Sequence, residues 1–159
     1  HDEPKGRRFW TFVLLMLGVG YVSNLITLNI VEFISPSSFD QSSLLRLFKT
    51  YPWVFLFLIP IMAFIEELIF RAPLILFIAM KVRMSVLLSF AVLFSMLFGY
   101  AHGGWAYVLP LGLSGMIFCV AFLRGGGMQK KYKKGLLAST AVHTLNNYLA
   151  LGFVLLGLQ

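Results

Sequence analysis

Charge is scarce in this 159-residue chain: Asp, Glu, Lys and Arg make up 12% of it, and only six residues are acidic. With 59% hydrophobic residues and a mean hydropathy of +0.86, that scarcity excludes a water-soluble monomer. It equally excludes a disordered chain, which needs low hydrophobicity and high net charge. Cysteine is nearly absent. The single Cys119 rules out an internal disulfide and a cysteine-built metal cage, and its place in an apolar run marks it as a packing residue. Internal repeats, low-complexity stretches and the ten-residue alternation of a barrel strand are all missing. The formal charge is +7, but the cations sit in short clusters between apolar runs. That is the pattern of orientation signals in a lipid bilayer and not of a nucleic-acid surface.

What is present in abundance is apolar sequence. Crossing about 30 Å of hydrocarbon takes roughly 20 apolar residues, and five runs qualify, near residues 9 to 33, 53 to 80, 84 to 102, 105 to 123 and 135 to 157. A bilayer interior leaves no partner for free backbone groups, so each run is expected as a helix and the fold class is all-α, a polytopic bundle. The first run is too long for a signal-peptide core and lacks a small-residue cleavage site after it, so it reads as a retained span. Residues 35 to 52 hold a Ser-Pro-Ser-Ser turn, then Leu44, Leu45, Leu47 and Phe48 on one side of a segment carrying Arg46 and Lys49. This predicts an interfacial connector helix. Trp10, Trp53 and Trp105 fall at span ends, where amphipathic rings favour the interface. Counting Lys and Arg on alternate sides places the N-terminus in the cytoplasm, with the cytoplasmic membrane of a prokaryote as the expected location. The chain divides into an N-terminal helix and connector, 1–52, and a core, 53–159.

Six polar residues in these spans need explanation. Glu66, Glu67 and Arg71 lie near the middle of the second run, where each charge costs about 2.5 to 3.5 kcal/mol on insertion scales. Glu67 and Arg71 are four apart on one helix face in the favourable order for an ion pair. Glu66 points about 100° away and requires a partner from another helix or water in a cavity. His102 ends the third run; His143 lies in the fifth, with Asn147 one turn further on the same face. A carboxylate, two imidazoles and an amide in an apolar bundle make an acid–base site. The bland alternative is interhelical hydrogen bonding, worth about 0.6 kcal/mol per contact.

In sequence order these residues form three motifs: Glu66-Glu67-Leu-Ile-Phe-Arg71, Phe98-Gly-Tyr-Ala-His102 and His143-Thr-Leu-Asn-Asn147. They resemble the Glu-Glu-x-x-x-Arg, Phe-x-x-x-His and His-x-x-x-Asn signature of the CPBP (Abi) family. That family comprises intramembrane proteases related to the CAAX prenyl endopeptidase, with prokaryotic members linked to bacteriocin processing or self-immunity. The resemblance covers roughly residues 53 to 157, with a basic insertion at 129 to 135 and the first span outside it. It implies peptide-bond hydrolysis without a covalent intermediate: Glu66, assisted by His102, activates a water, and His143 and Asn147 steady the oxyanion. Glu67 and Arg71 would support the site, and Phe98 would pack against it. The implied partners are a peptide or protein substrate, including prenylated or bacteriocin-type peptides, and the bilayer, with no nucleic acid.

The resemblance favours a metal-free glutamate and no cofactor. Zinc remains the alternative, because Glu66, His102 and His143 form a His2Glu set, although not on the His-Glu-x-x-His helix of zincins. Two rival functions stand beside this one. Gly112-Leu-Ser114-Gly115 resembles the Gly-x-Ser-Gly of rhomboid serine proteases with His143 as base, but that reading leaves Glu66, Glu67 and Arg71 unexplained and makes Gly112, Ser114 and Gly115 more than a helix contact face. A non-catalytic immunity or scaffold protein could also keep ionisable groups inside a bundle. One count opposes the catalytic reading. At about 1.5 Å per residue from the cytoplasmic end, Glu66 falls near mid-membrane, His102 near the far face and His143 in the near half, depths at which upright helices keep them apart.

Overall fold

The computed structural model describes residues 7–34 and 50–156. Those residues form five long helices: α1 Arg7–Ile34, α2 Pro52–Ala79, α3 Met84–Ala101, α4 Val108–Gly125 and α5 Tyr132–Leu156. No strand occurs among the described residues. The interfacial helix expected over 35 to 52 lies almost wholly outside them. By length and composition α2, α3 and the stretch Trp105–Gln129 are apolar enough to cross a membrane, whereas α1 contributes a shorter apolar stretch, Arg8–Ser23. Helix α5 has the length, with 25 residues, but Lys133, Lys134, His143 and two asparagines interrupt its apolar character. The protein is a helical membrane bundle.

Local chemistry sets the helix ends. Pro52 opens α2, where a missing N–H leaves no donor unsatisfied. The helix closes on Lys81 in the left-handed conformation (φ 56°), with the Val82 N–H donating to the Phe77 carbonyl at 3.2 Å. Gly126, at φ 149°, ends α4 where an L side chain would be strained. Within α2, Pro60 has no N–H to give the Leu56 carbonyl, and the Tyr148 hydroxyl of α5 donates to that carbonyl instead. A sequence feature that breaks a helix bond therefore ties α2 to α5 in place of it.

The short connections make α2 to α5 successive antiparallel neighbours, and α4 is the central helix, packed against α1, α3 and α5. Its buried side carries Gly112, Ser114, Gly115, Phe118, Cys119 and Phe122. A Cβ on Gly112 or Gly115 would stand 3.3 Å from the Ser95 carbonyl of α3, so these small residues set the approach of the two helices. Gly99 is tighter still: a Cβ there would lie 2.5 Å from the Tyr107 carbonyl. One apolar cluster, built on Leu74, Ile78, Leu87, Cys119 and Phe122, fills the end of the bundle that carries the basic turns. A second, of Val13, Phe98, Phe118, Ala121 and Val142, brings α1 against the helices that carry the polar groups.

Candidate active site

The buried charges of α2 are neutralised within one turn. Arg71 Nε donates to Glu67 Oε2 at 2.9 Å and its Nη2 to Glu67 Oε1 at 3.3 Å, with both side chains fully buried. The same Nη2 reaches the Gly115 carbonyl of α4 at 3.1 Å. The ion pair thus also docks α2 on the small-residue face of α4. On the other side His143 of α5 lies 3.1 Å from Glu67 through Nδ1. Since an ionised carboxylate only accepts, the Nδ1 of His143 carries a proton and Nε2 turns outward.

Glu66 is placed differently. Its side chain keeps 24% of its exposure, against none for Glu67, and its Oε2 stands 3.4 Å from His102 Nε2 and 3.6 Å from His143 Nε2. Those separations are long for direct hydrogen bonds and suit groups that share a small polar molecule. His102 is fixed in the same sense as His143: its Nδ1 donates at 2.7 Å to the Phe98 carbonyl, which can only accept. Both imidazoles therefore aim Nε2 at one oxygen of Glu66.

Aromatic rings hold the imidazoles in place. Phe98 lies 4.3 Å from His102 and 5.5 Å from His143 between ring centroids, the latter edge-on. Phe118 of α4 stacks on His143 at 4.3 Å with an interplanar angle of 16°. Phe118 was not legible as a site residue, because nothing in the sequence distinguishes it among 16 phenylalanines. Asn147 follows His143 by one turn on the same face of α5 and is partly buried.

The depth count that separates Glu66, His102 and His143 does not hold in the folded bundle. Helix α5 starts at Tyr132 and not at 135, which carries His143 about 4.5 Å further from the basic end. The ion-pair distances of 3.4 and 3.6 Å from Glu66 to the two imidazoles show that the three side chains meet. Ser114 is 98% buried and its hydroxyl donates to Pro110 one turn back, at 3.4 Å. Both nitrogens of His143 face carboxylates, so the imidazole is not directed at Ser114 as a rhomboid-like base would be. As to zinc, no group of three His, Cys, Asp or Glu side chains among the described residues is placed to hold a metal ion.

Two histidines directed at one partly exposed glutamate, beside a neutralised second glutamate, within a helical membrane bundle, define a membrane-embedded acid–base site. A family model for type II CAAX prenyl endopeptidase, Rce1-like, matches residues 48–149, and the chain belongs to that family. The match takes in α2, α3, α4 and most of α5, with every residue from Glu66 to Asn147 described above, and leaves α1 outside. Membership places the chain among CAAX-protease-like intramembrane endopeptidases, with a peptide or protein substrate and the lipid bilayer as partners. No curated protein and no solved structure gives a match.

Proposed function

We propose that the chain hydrolyses a peptide bond with Glu66 as general base, in a core spanning residues 53–159. A water molecule held by Glu66 and His102 Nε2 gives a proton to the glutamate and its oxygen attacks the substrate carbonyl. The developing oxyanion accepts hydrogen bonds from protonated His143 Nε2 and from the Asn147 amide. Glu66 and His102 then return the proton to the leaving nitrogen, so the C–N bond breaks with no net change in the protein. No covalent intermediate and no metal enter the scheme.

The observation that carries this reading is the asymmetry of the two glutamates: Glu67 is fully buried and paired with Arg71, while Glu66 remains accessible and faces both imidazoles. Glu67 also accepts from the Nδ1–H of His143 and so fixes the ring with Nε2 turned toward Glu66. Phe98 and Phe118 orient the rings and offer no proton chemistry. We assign the N-terminus to the cytoplasmic side of a prokaryotic membrane from the excess of Lys and Arg in the turns at that end. The substrate class is a membrane-bound peptide; prenylated C-terminal peptides are the first choice, and bacteriocin-type peptides the second.

Peptide cleavage in detergent by the parent, Glu66→Ala and His102→Ala proteins tests the scheme. Loss of cleavage in both variants supports it. Undiminished cleavage in both would remove Glu66 and His102 from the reaction.

A further inference from the structure

Helix α2 carries two prolines in its interior, Pro60 and Pro73, and the first is answered from another helix. With no N–H at Pro60, the Leu56 carbonyl loses its donor from the next turn. Leu56 is 41% exposed on a helix long and apolar enough to cross a membrane, and hydrocarbon offers no replacement donor. The Tyr148 hydroxyl of α5 supplies it. That hydroxyl has no part in the hydrolytic scheme, yet Tyr148 follows Asn147 directly and lies five residues beyond His143.

A bond at this place controls how α5 sits along α2. The helices run antiparallel, with one polar tie inside the site, His143 Nδ1 to Glu67 Oε1 at 3.1 Å, and a second at Tyr148. At about 1.5 Å per residue, the second tie lies roughly 7.5 Å along α5 from His143 and roughly 15 Å along α2 from Glu66. Apolar contacts between the helices are non-directional and allow sliding, whereas a hydrogen bond to a fixed carbonyl does not. Two ties at different levels fix register and rotation together; one leaves the helices free to pivot about Glu67. A pivot moves His143 and Asn147 of α5 against Glu66 of α2, where Glu66 Oε2 and His143 Nε2 stand 3.6 Å apart. His102 belongs to α3 and keeps its place.

We propose that Tyr148 is a positioning residue: its hydroxyl, bound to the carbonyl that Pro60 frees, sets the register of α5 on α2 and so places His143 and Asn147 at Glu66. The effect on catalysis rests on the hydrolytic reading above; the effect on register does not. Cleavage is measured as kcat and KM for the parent, Tyr148→Phe, Pro60→Ala and the double variant. Tyr21→Phe, whose ring stays stacked on Phe153, is the control. Register is measured separately, by pulsed electron–electron resonance between nitroxides at exposed Val54 of α2 and Leu137 of α5, with the native thiol removed as Cys119→Ala.

Tyr148→Phe is expected to lower kcat about tenfold with KM within about twofold, since a misplacement of about 1 Å costs up to about 10²-fold. Pro60→Ala gives the Leu56 carbonyl a donor of its own and reproduces the loss, and the double variant is no worse than either single one. In all three the label distance shifts by up to about 1.5 Å, one residue's rise, or its distribution widens, while Tyr21→Phe changes neither rate nor distance. Circular dichroism and elution volume confirm the fold of each variant. Losses that multiply in the double variant would separate the hydroxyl from Pro60. Rates that fall at unchanged distance, or distances that shift at unchanged rate, would each overturn the positioning role, and no change in either would overturn the whole proposal. A parent that cleaves no peptide would contradict the hydrolytic reading alone; the label distances would still decide whether Tyr148 holds the register.

Discussion

Replacing Arg71 with Met is the perturbation that most directly probes how charge is held inside this bundle. The substitution keeps an unbranched side chain of similar length but removes two contacts to Glu67 and one to the Gly115 carbonyl, all fully buried. It leaves the Glu67 carboxylate with the side chains of His143 and Ser139 as its remaining partners. Each charged hydrogen bond is worth about 1.5 to 3 kcal/mol, but the three act as a unit, and breaking one partner of a buried ion pair costs about 3 to 5 kcal/mol in total. At 1.4 kcal/mol per decade that shifts the unfolding equilibrium by roughly a hundred- to several-thousand-fold. The double variant Glu67→Gln/Arg71→Met removes the stranded charge and should regain at least about 1 kcal/mol of the loss. Denaturant unfolding of the detergent-solubilised protein, completed as a double-mutant cycle, reads both numbers. A single variant within about 1 kcal/mol of the parent, or a double variant no better than the single, would refute the reasoning that Glu67 is neutralised by Arg71.

Other outcomes follow from the same geometry. Asn147→Ala should lower cleavage by about 10²- to 10³-fold with the fold retained, the usual loss for one oxyanion donor; an unchanged rate would free Asn147 from that role. Ser114→Ala should leave cleavage largely intact, because the hydroxyl serves its own helix, and a rate that collapses would revive a serine mechanism. Phe118→Ala should cost about 3 to 5 kcal/mol in unfolding experiments and lower the rate as well, since it removes the ring stacked on His143. Gly99→Ala should destabilise the protein by about 1 to 3 kcal/mol, because its Cβ would meet the Tyr107 carbonyl at 2.5 Å; equal stability would mean that α3 and α4 separate without cost.

The helices were legible because a bilayer demands length and apolarity together, and α2 and α3 begin and end within one residue of the apolar runs that announce them. The start of α5 was not, since Lys133 and Lys134 occupy its first turn, where long cationic side chains reach past the apolar region while the backbone is already helical. Within the site, the Glu67–Arg71 pair follows from a spacing of four on one helix. Contacts that cross between helices escape such spacing rules. The meeting of Glu66 with His102 and His143 depends on helix offset and side-chain reach, which hydropathy does not encode, and counting residues from the helix ends even pointed the wrong way. The stacking of Phe118 on His143 and the docking of Arg71 on Gly115 are likewise properties of packing, visible only once α4 is placed at the centre.

The most direct test of the central claim is cleavage of a quenched peptide mixture, some members ending in a prenyl-cysteine, by the parent and Glu66→Gln proteins with and without a strong chelator. Removal of a general base costs about 10²- to 10⁴-fold, so parent cleavage should survive chelation and fall by that factor in Glu66→Gln, with both proteins equally folded. Cleavage abolished by the chelator and recovered with zinc, or cleavage unchanged in Glu66→Gln, would contradict a water activated by Glu66.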